Sequence, residues 1–117
     1  MTAGAWDLGP VDQLPLGEGR VFRVDGRDVA LFRARDGRVH ATQASCPHRG
    51  GPLADGVIGA GRVICPLHGR VFDLASGRPV GNTSAPLVTY PVAIEGGHFV
   101  VRLGGATPPT TISPAAP

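Results

Sequence analysis

Short apolar runs alternate along this chain with turn-forming dipeptides. Residues 20–24 (Arg-Val-Phe-Arg-Val) stop at Asp25-Gly26, a two-residue hairpin signal. A second run, residues 28–35, ends at Asp36-Gly37 and is followed by a third over 38–42. In the second run Val29, Leu31 and Arg33 fall on one face, as the two-residue period of a strand requires. The pattern returns near the end, with a strand predicted over 87–94, a turn at Glu95-Gly96-Gly97 and a strand over 98–103. Between them, residues 56–58 and 62–64 flank Gly59-Ala60-Gly61 and predict a small hairpin. A hairpin returns the chain to where it began, so the segments before Gly56 and after Ile64 are expected side by side. The fold class is therefore all-β. Few stretches of 12 residues lack Gly or Pro, which excludes coiled coils and helical bundles.

Length and composition narrow this reading. A chain of 117 residues is one domain by default, long enough to bury roughly 65% of its unfolded surface. Its 18 Gly and 12 Pro are spread between apolar runs in a chain that is 42% hydrophobic, the composition of a compact, turn-rich domain. From Gly104 onward the sequence carries no charge and little to bury, so we expect a domain over 1–104 and a disordered tail over 105–117. The net charge of +2 comes without a basic stripe, which argues against a nucleic-acid partner. All eleven basic residues are Arg, a compositional habit shared with the abundant Ala, Gly and Pro. No apolar run approaches 18 residues, so no membrane helix is expected. Residues 1–10 lack the features of a secretory signal, and a cytoplasmic location follows as the expectation. There thiols stay reduced, and two cysteines suggest a metal or catalysis before a disulfide.

The segment 45–91 differs from its flanks. It holds both cysteines, two of the four histidines and six of the prolines. Cys46-Pro47-His48 and Cys65-Pro66-Leu67-His68 each offer one thiolate and one imidazole, and 16 residues separate His48 from Cys65. Together they make a four-ligand metal site. Pro47 and Pro66 stiffen the chain after each cysteine, while Gly50, Gly51 and Gly69 let backbone approach a bulky group. Zinc is the plain alternative, but zinc sites usually pair two Cys from one element with two His from another. Here each loop supplies one of each. With two bridged irons between the loops, each loop can give its Cys to one iron and its His to the other, the Rieske arrangement.

C-P-H-R-G-G-P-L at 46–53 and C-P-L-H-G-R-V-F-D at 65–73 closely resemble the two cluster-binding boxes of Rieske ferredoxins, a resemblance that extends over residues 5–103. It implies a fold of three small antiparallel sheets with one 2Fe–2S cluster at one tip, bound within residues 45–87. It also implies Cys46 and Cys65 on the inner iron, His48 and His68 on the outer one, and a covering loop at 81–87 that contains Pro86. Rieske subunits of cytochrome bc complexes carry a second cysteine in each box, at the positions of Gly51 or its neighbour and of Leu67. They also place hydroxyls where Arg70 and Phe72 stand here. Without those hydrogen bonds the potential is expected near the low end of the Rieske range, about −150 mV.

The chain is too short for the mononuclear iron domain of a terminal oxygenase, and only His40 and His98 remain unassigned, as ordinary strand residues. The resemblance thus implies a non-catalytic one-electron carrier. Its implied partners are a flavin-dependent reductase and a terminal oxygenase that hydroxylates aromatic rings. Two rivals are the small subunit of an assimilatory nitrite reductase and a zinc-stabilised structural module. Around the site, Arg49, Arg62, Arg70 and Arg78 outnumber Asp55 and Asp73, a mildly basic rim suited to an acidic partner or an ordinary solvated surface. Leu53 and Leu67 are expected to shield the cluster. Trp6, Phe22, Phe32, Phe72, Tyr90 and Phe99 are expected in the core.

Overall fold

In a computed structural model, which describes residues 5–47, 50–67 and 69–103, the chain forms three antiparallel sheets. The tail expected over 105–117 lies outside the described residues. Strands β1 (Ala5–Pro10), β10 (Val92–Glu95) and β11 (His98–Arg102) make the first sheet, with β11 central. The second is β2 (Glu18–Val24), β3 (Arg27–Arg33), β4 (Val39–Gln43) and β9 (Thr89–Tyr90) in spatial order. The third is β5 (Val57–Gly59), β6 (Arg62–Ile64), β7 (Val71–Asp73) and β8 (Pro79–Val80). Among the described residues no helix is long and apolar enough to cross a membrane.

The turn chemistry explains the hairpins. Asp25 and Gly26 both take positive φ, 51° and 79°, the geometry that matches the right-handed twist of β2 and β3. In the smaller hairpin Ala60 and Gly61 do the same at 53° and 75°, so the turn is two residues and Gly59 belongs to its strand. The expected strand over 87–94 is broken. Pro91 has no N–H to give to a ladder, and there the chain leaves β9, paired with β4, and enters β10, paired with β11.

Strand β3 is the hinge of the core. Val29 and Leu31 face a cluster that includes Phe99 and Val101, while Ala30 and Phe32 face a second cluster that includes Phe72 and both cysteines. Phe32, Phe72 and Phe99 are fully buried, and Phe22 and Tyr90 pack partly buried against the first of these clusters. Trp6 departs from the expectation of a core position. It lies in the edge strand β1, covered by one neighbouring strand only, and stays 37% exposed.

Strand β1 was not legible because Gly9, at φ 101°, and Pro10 interrupt its pattern. Its pairing with β11 shifts register between Asp7 and Pro10. The Asp7 carboxylate accepts from Gly9 N at 2.8 Å and meets His98 Nδ1 at 2.9 Å, fastening the two strands. Those bonds, the Gly9 N–H first, hold the Asp7 carboxyl below its usual value.

His40, opposite Phe32 across β3 and β4, has its pKa pushed below 6.5, chiefly by burial, against the opposing charges of Asp36 and Asp73 and with help from Arg38. The unfolded chain therefore takes up this proton more readily than the folded one. The contribution of His40 is complete above about pH 6.5 and declines as the pH falls below it. His40→Gln should flatten the fall of Tm between pH 7 and 5, measured by circular dichroism. An unchanged slope would show that another group governs this window.

Candidate metal centre

The third sheet brings three loops to one of its ends. Strand β5 starts there, β6 ends there, β7 starts there and β8 ends there. Residues 46–51 lead towards β5 through a short 3₁₀ turn at Leu53–Asp55, residues 65–70 join β6 to β7, and residues 81–87 leave β8. Gly56 packs against the carbonyl of Ile64, in a gap that a Cβ would fill. The approach to β5 is thereby pressed against the residue preceding Cys65, as the hairpin argument expected.

The first two loops share one backbone scheme. Cys46 N donates to Gly51 O at 2.8 Å, and Gly50 N donates back to Cys46 O at 2.8 Å. Cys65 N donates to Arg70 O at 2.8 Å, and Gly69 N donates to Cys65 O at 3.0 Å. In each, the residue four after the cysteine is a glycine in the left-handed region, at φ 71° for Gly50 and 70° for Gly69. An L side chain there would cost about 1–2 kcal/mol. The scheme is used a third time in the β7–β8 hairpin, where Asp73 N donates to Arg78 O and Gly77 N, at φ 78°, to Asp73 O. Cys46 and Cys65 thus occupy equivalent corners of two matched loops.

The loops meet through Gly51. A Cβ built on Gly51 would lie 2.6 Å from Cys65 Sγ and 2.9 Å from Leu67 Cβ, so only glycine fits there. Gly51 (or its neighbour) and Leu67 are the positions at which the sequence resemblance set the extra cysteines of bc-type subunits. Here glycine packs against leucine, and neither cysteine is in a disulfide. Each is buried, in one apolar cluster with Leu53, Phe72, Leu74 and Leu87. His48 and His68 lie outside the described residues, as does Arg49. Among the described residues, no group of three or more His, Cys, Asp or Glu comes together.

The covering loop is held by side chains that the sequence pattern did not single out. Asn82 Nδ2 donates to Val71 O at 3.1 Å and to Val80 O at 3.2 Å, while Asn82 Oδ1 accepts from Ser84 N at 3.0 Å. Gln43 Oε1 accepts from Val88 N at 2.7 Å and Gln43 Nε2 donates to Ser45 O at 2.6 Å, which links the root of the first cysteine loop to the end of the covering loop. The only sequence signal for either was a polar residue beside a loop. Leu87 packs into the cysteine cluster, whereas Pro86 faces solvent. Leu53 is fully buried, but Leu67 stays 49% exposed and shields the site on one side only.

Two buried, reduced thiols at matched corners, with a glycine cradle between them, fit a cluster that takes one thiolate from each loop. In the covering loop, Ser84 Oγ is buried without a partner, a donor that the protein itself leaves unsatisfied. Phe72 turns its ring fully into the core.

Three sheets carrying paired cysteine loops at one end define an iron–sulfur domain of the β class. The chain belongs to the Rieske [2Fe-2S] domain family, which matches residues 5–91, and the cluster of that family is one 2Fe–2S centre. The chain is 32% identical over 104 residues to the ferredoxin component of a naphthalene 1,2-dioxygenase system of Pseudomonas aeruginosa, covering 88% of this chain and 99% of that one. Its structure is similar to the ferredoxin of carbazole 1,9a-dioxygenase from Nocardioides aromaticivorans IC177, with TM-score 0.78, 31% identity and coverage of 86% and 98%. It is also similar to a Mycobacterium tuberculosis protein assigned as the small subunit of an NADH-dependent nitrite reductase, with TM-score 0.77, 28% identity and coverage of 83% and 92%.

Gly51→Ala should lower the iron and acid-labile sulfide recovered per chain several-fold, because its methyl group collides with the Cys65 sulfur. Gly50→Ala, whose Cβ would meet open space, should keep the cluster and lose about 1–2 kcal/mol of stability. Full cluster content in Gly51→Ala would refute the cradle. Gln43→Ala, which leaves Val88 N and Ser45 O without these partners, should cost about 1–3 kcal/mol in chemical denaturation; no loss would mean that the staple is inert.

Proposed function

We propose that this chain is a Rieske ferredoxin, a one-electron carrier that performs no bond-making chemistry. It takes electrons from a flavin-dependent reductase and passes them to a terminal oxygenase that hydroxylates aromatic rings. Cys46 and Cys65 hold one iron of its cluster, and His48 and His68 hold the other. When bound, such a cluster supplies reversible transfer of a single electron at a potential set by its ligands and surroundings.

The observation that carries the reading is the matched pair of cysteine loops joined through Gly51. The near-complete span of a dioxygenase ferredoxin component, 99% of its length, supports it. The chain's own residues do the rest. Matched backbone bonds aim the two thiols, and Leu53, Phe72 and Leu87 keep water from them. The Phe72 ring offers no hydrogen bond, so the potential lies towards the low end of the Rieske range, about −150 mV. The likeness to a nitrite reductase small subunit supports a second reading, with the same cluster in a different assembly.

The first test is purification. A carrier purifies alone and is reversibly reduced by a flavin reductase, whereas a nitrite reductase subunit arrives with a large sirohaem-containing chain. The second is His68→Cys, which adds thiolate charge and should move the potential down, towards the about −400 mV of all-cysteine plant-type clusters. A variant with an intact cluster at an unchanged or higher potential would contradict the assignment of His68.

A further inference from the structure

The outward face of the third sheet is apolar where a solvent-facing sheet is normally polar. Its register sets Val57 opposite Ile64, Ile64 opposite Val71, and Val71 opposite Val80. Four β-branched side chains therefore form one row across all four strands, on a single face. Their chain neighbours Ile58, Val63 and Phe72 point the other way and are buried. Val57 keeps 69% of its surface exposed and Ile64 40%, with the exposed Leu67 beside them in the next loop.

The position of this row matters as much as its composition. Ile64 immediately precedes Cys65, Val71 follows the same loop, and Val80 opens into the covering loop. The row is a collar at the base of the metal centre. The neighbouring row is charged, with Arg62 opposite Asp73 and Arg78 exposed at the start of β8. The Asp73 carboxylate is engaged within its own turn by Ser76 N at 2.9 Å and Ser76 Oγ at 3.1 Å. Those neutral donors keep Asp73 ionised, so with Arg62 and Arg78 the border carries two positive charges against one negative and is net positive.

We propose that this sheet face, the row Val57, Ile64, Val71 and Val80 with Leu67 at its edge, docks a redox partner whose contact surface is apolar at the centre and carboxylate at the rim. The inference rests on the electron-carrier reading. A contiguous apolar patch with a polar border is the signature of an interaction surface. A partner seated on it lies directly beside the loop that carries Cys65. Arginines on the border select acidic partners and speed their encounter. A second copy of this chain fits less well, since a two-fold contact would set one net-positive border against another.

The test follows reoxidation of the dithionite-reduced holoprotein in a stopped-flow instrument by three acceptors. These are ferricyanide, plastocyanin (an acidic copper protein with an apolar face) and cytochrome c (a basic haem protein). Plastocyanin should react at least about tenfold faster at low salt than at high salt. Val57→Thr/Ile64→Thr, which keeps β-branched residues in both strands, should lose about tenfold of that rate, and Arg62→Glu should lose most of its salt dependence. Both variants should keep wild-type ferricyanide rates and cluster spectra. Wild-type plastocyanin rates in both variants would overturn the docking face. So would a faster reaction with cytochrome c, or a wild-type dimer that the double variant dissociates. A reduced cluster that ferricyanide cannot reoxidise would instead overturn the carrier reading beneath it.

Discussion

Each cysteine sits at the corner of a six-residue loop that closes on its own backbone, and the rest of the structure depends on that closure. Two hydrogen bonds and one left-handed glycine fix the loop, and the same device recurs at residues 46–51, 65–70 and 73–78. Its bonds are all main chain to main chain, and they set the two thiols at equivalent corners from which a cluster can take one from each loop. The third use, in the β7–β8 hairpin, carries Asp73 at the corner instead of cysteine. There the side chain caps its own turn, and the Ser76 N–H foremost holds its carboxyl below the ordinary value.

The sheets place these loops, and packing seals them. Strand β3 divides the interior, sending Val29 and Leu31 one way and Ala30 and Phe32 the other. One half of the core joins the first two sheets into a rigid base. The other half runs under the loops and ends at the two sulfurs, so that Phe32 and Phe72 support the metal centre from below. A low-dielectric floor of aromatic side chains disfavours extra negative charge on whatever the thiols hold, which supports the low potential proposed for the carrier.

Much of this was legible beforehand. Asp25-Gly26 and the Gly-rich turn near residue 60 marked hairpins, and the hairpin argument brought the two cysteine boxes together before any coordinates. The strands it missed, β1, β7 and β8, are two to six residues long and owe their existence to neighbours, not to their own pattern. Pro91 was read within one strand because periodicity alone does not reveal a change of sheet. Gln43 and Asn82 escaped notice for a related reason. Gln43 reaches Val88, 45 residues along the chain, and no local signal encodes such a distance. Trp6 was expected inside on hydrophobicity, but an edge strand offers it too little cover. The proposed histidine ligands, His48 and His68, rest on the boxes themselves, whose one-sulfur, one-nitrogen composition in each loop is what argues against zinc.

In the proposed assignment that composition makes the two irons chemically unlike, and Mössbauer spectroscopy of protein grown on ⁵⁷Fe reads the difference directly. The oxidised protein should show two iron environments of equal intensity with different isomer shifts, and reduction by one electron should change only one of them. A single environment, or iron-free protein that retains zinc, would contradict the account.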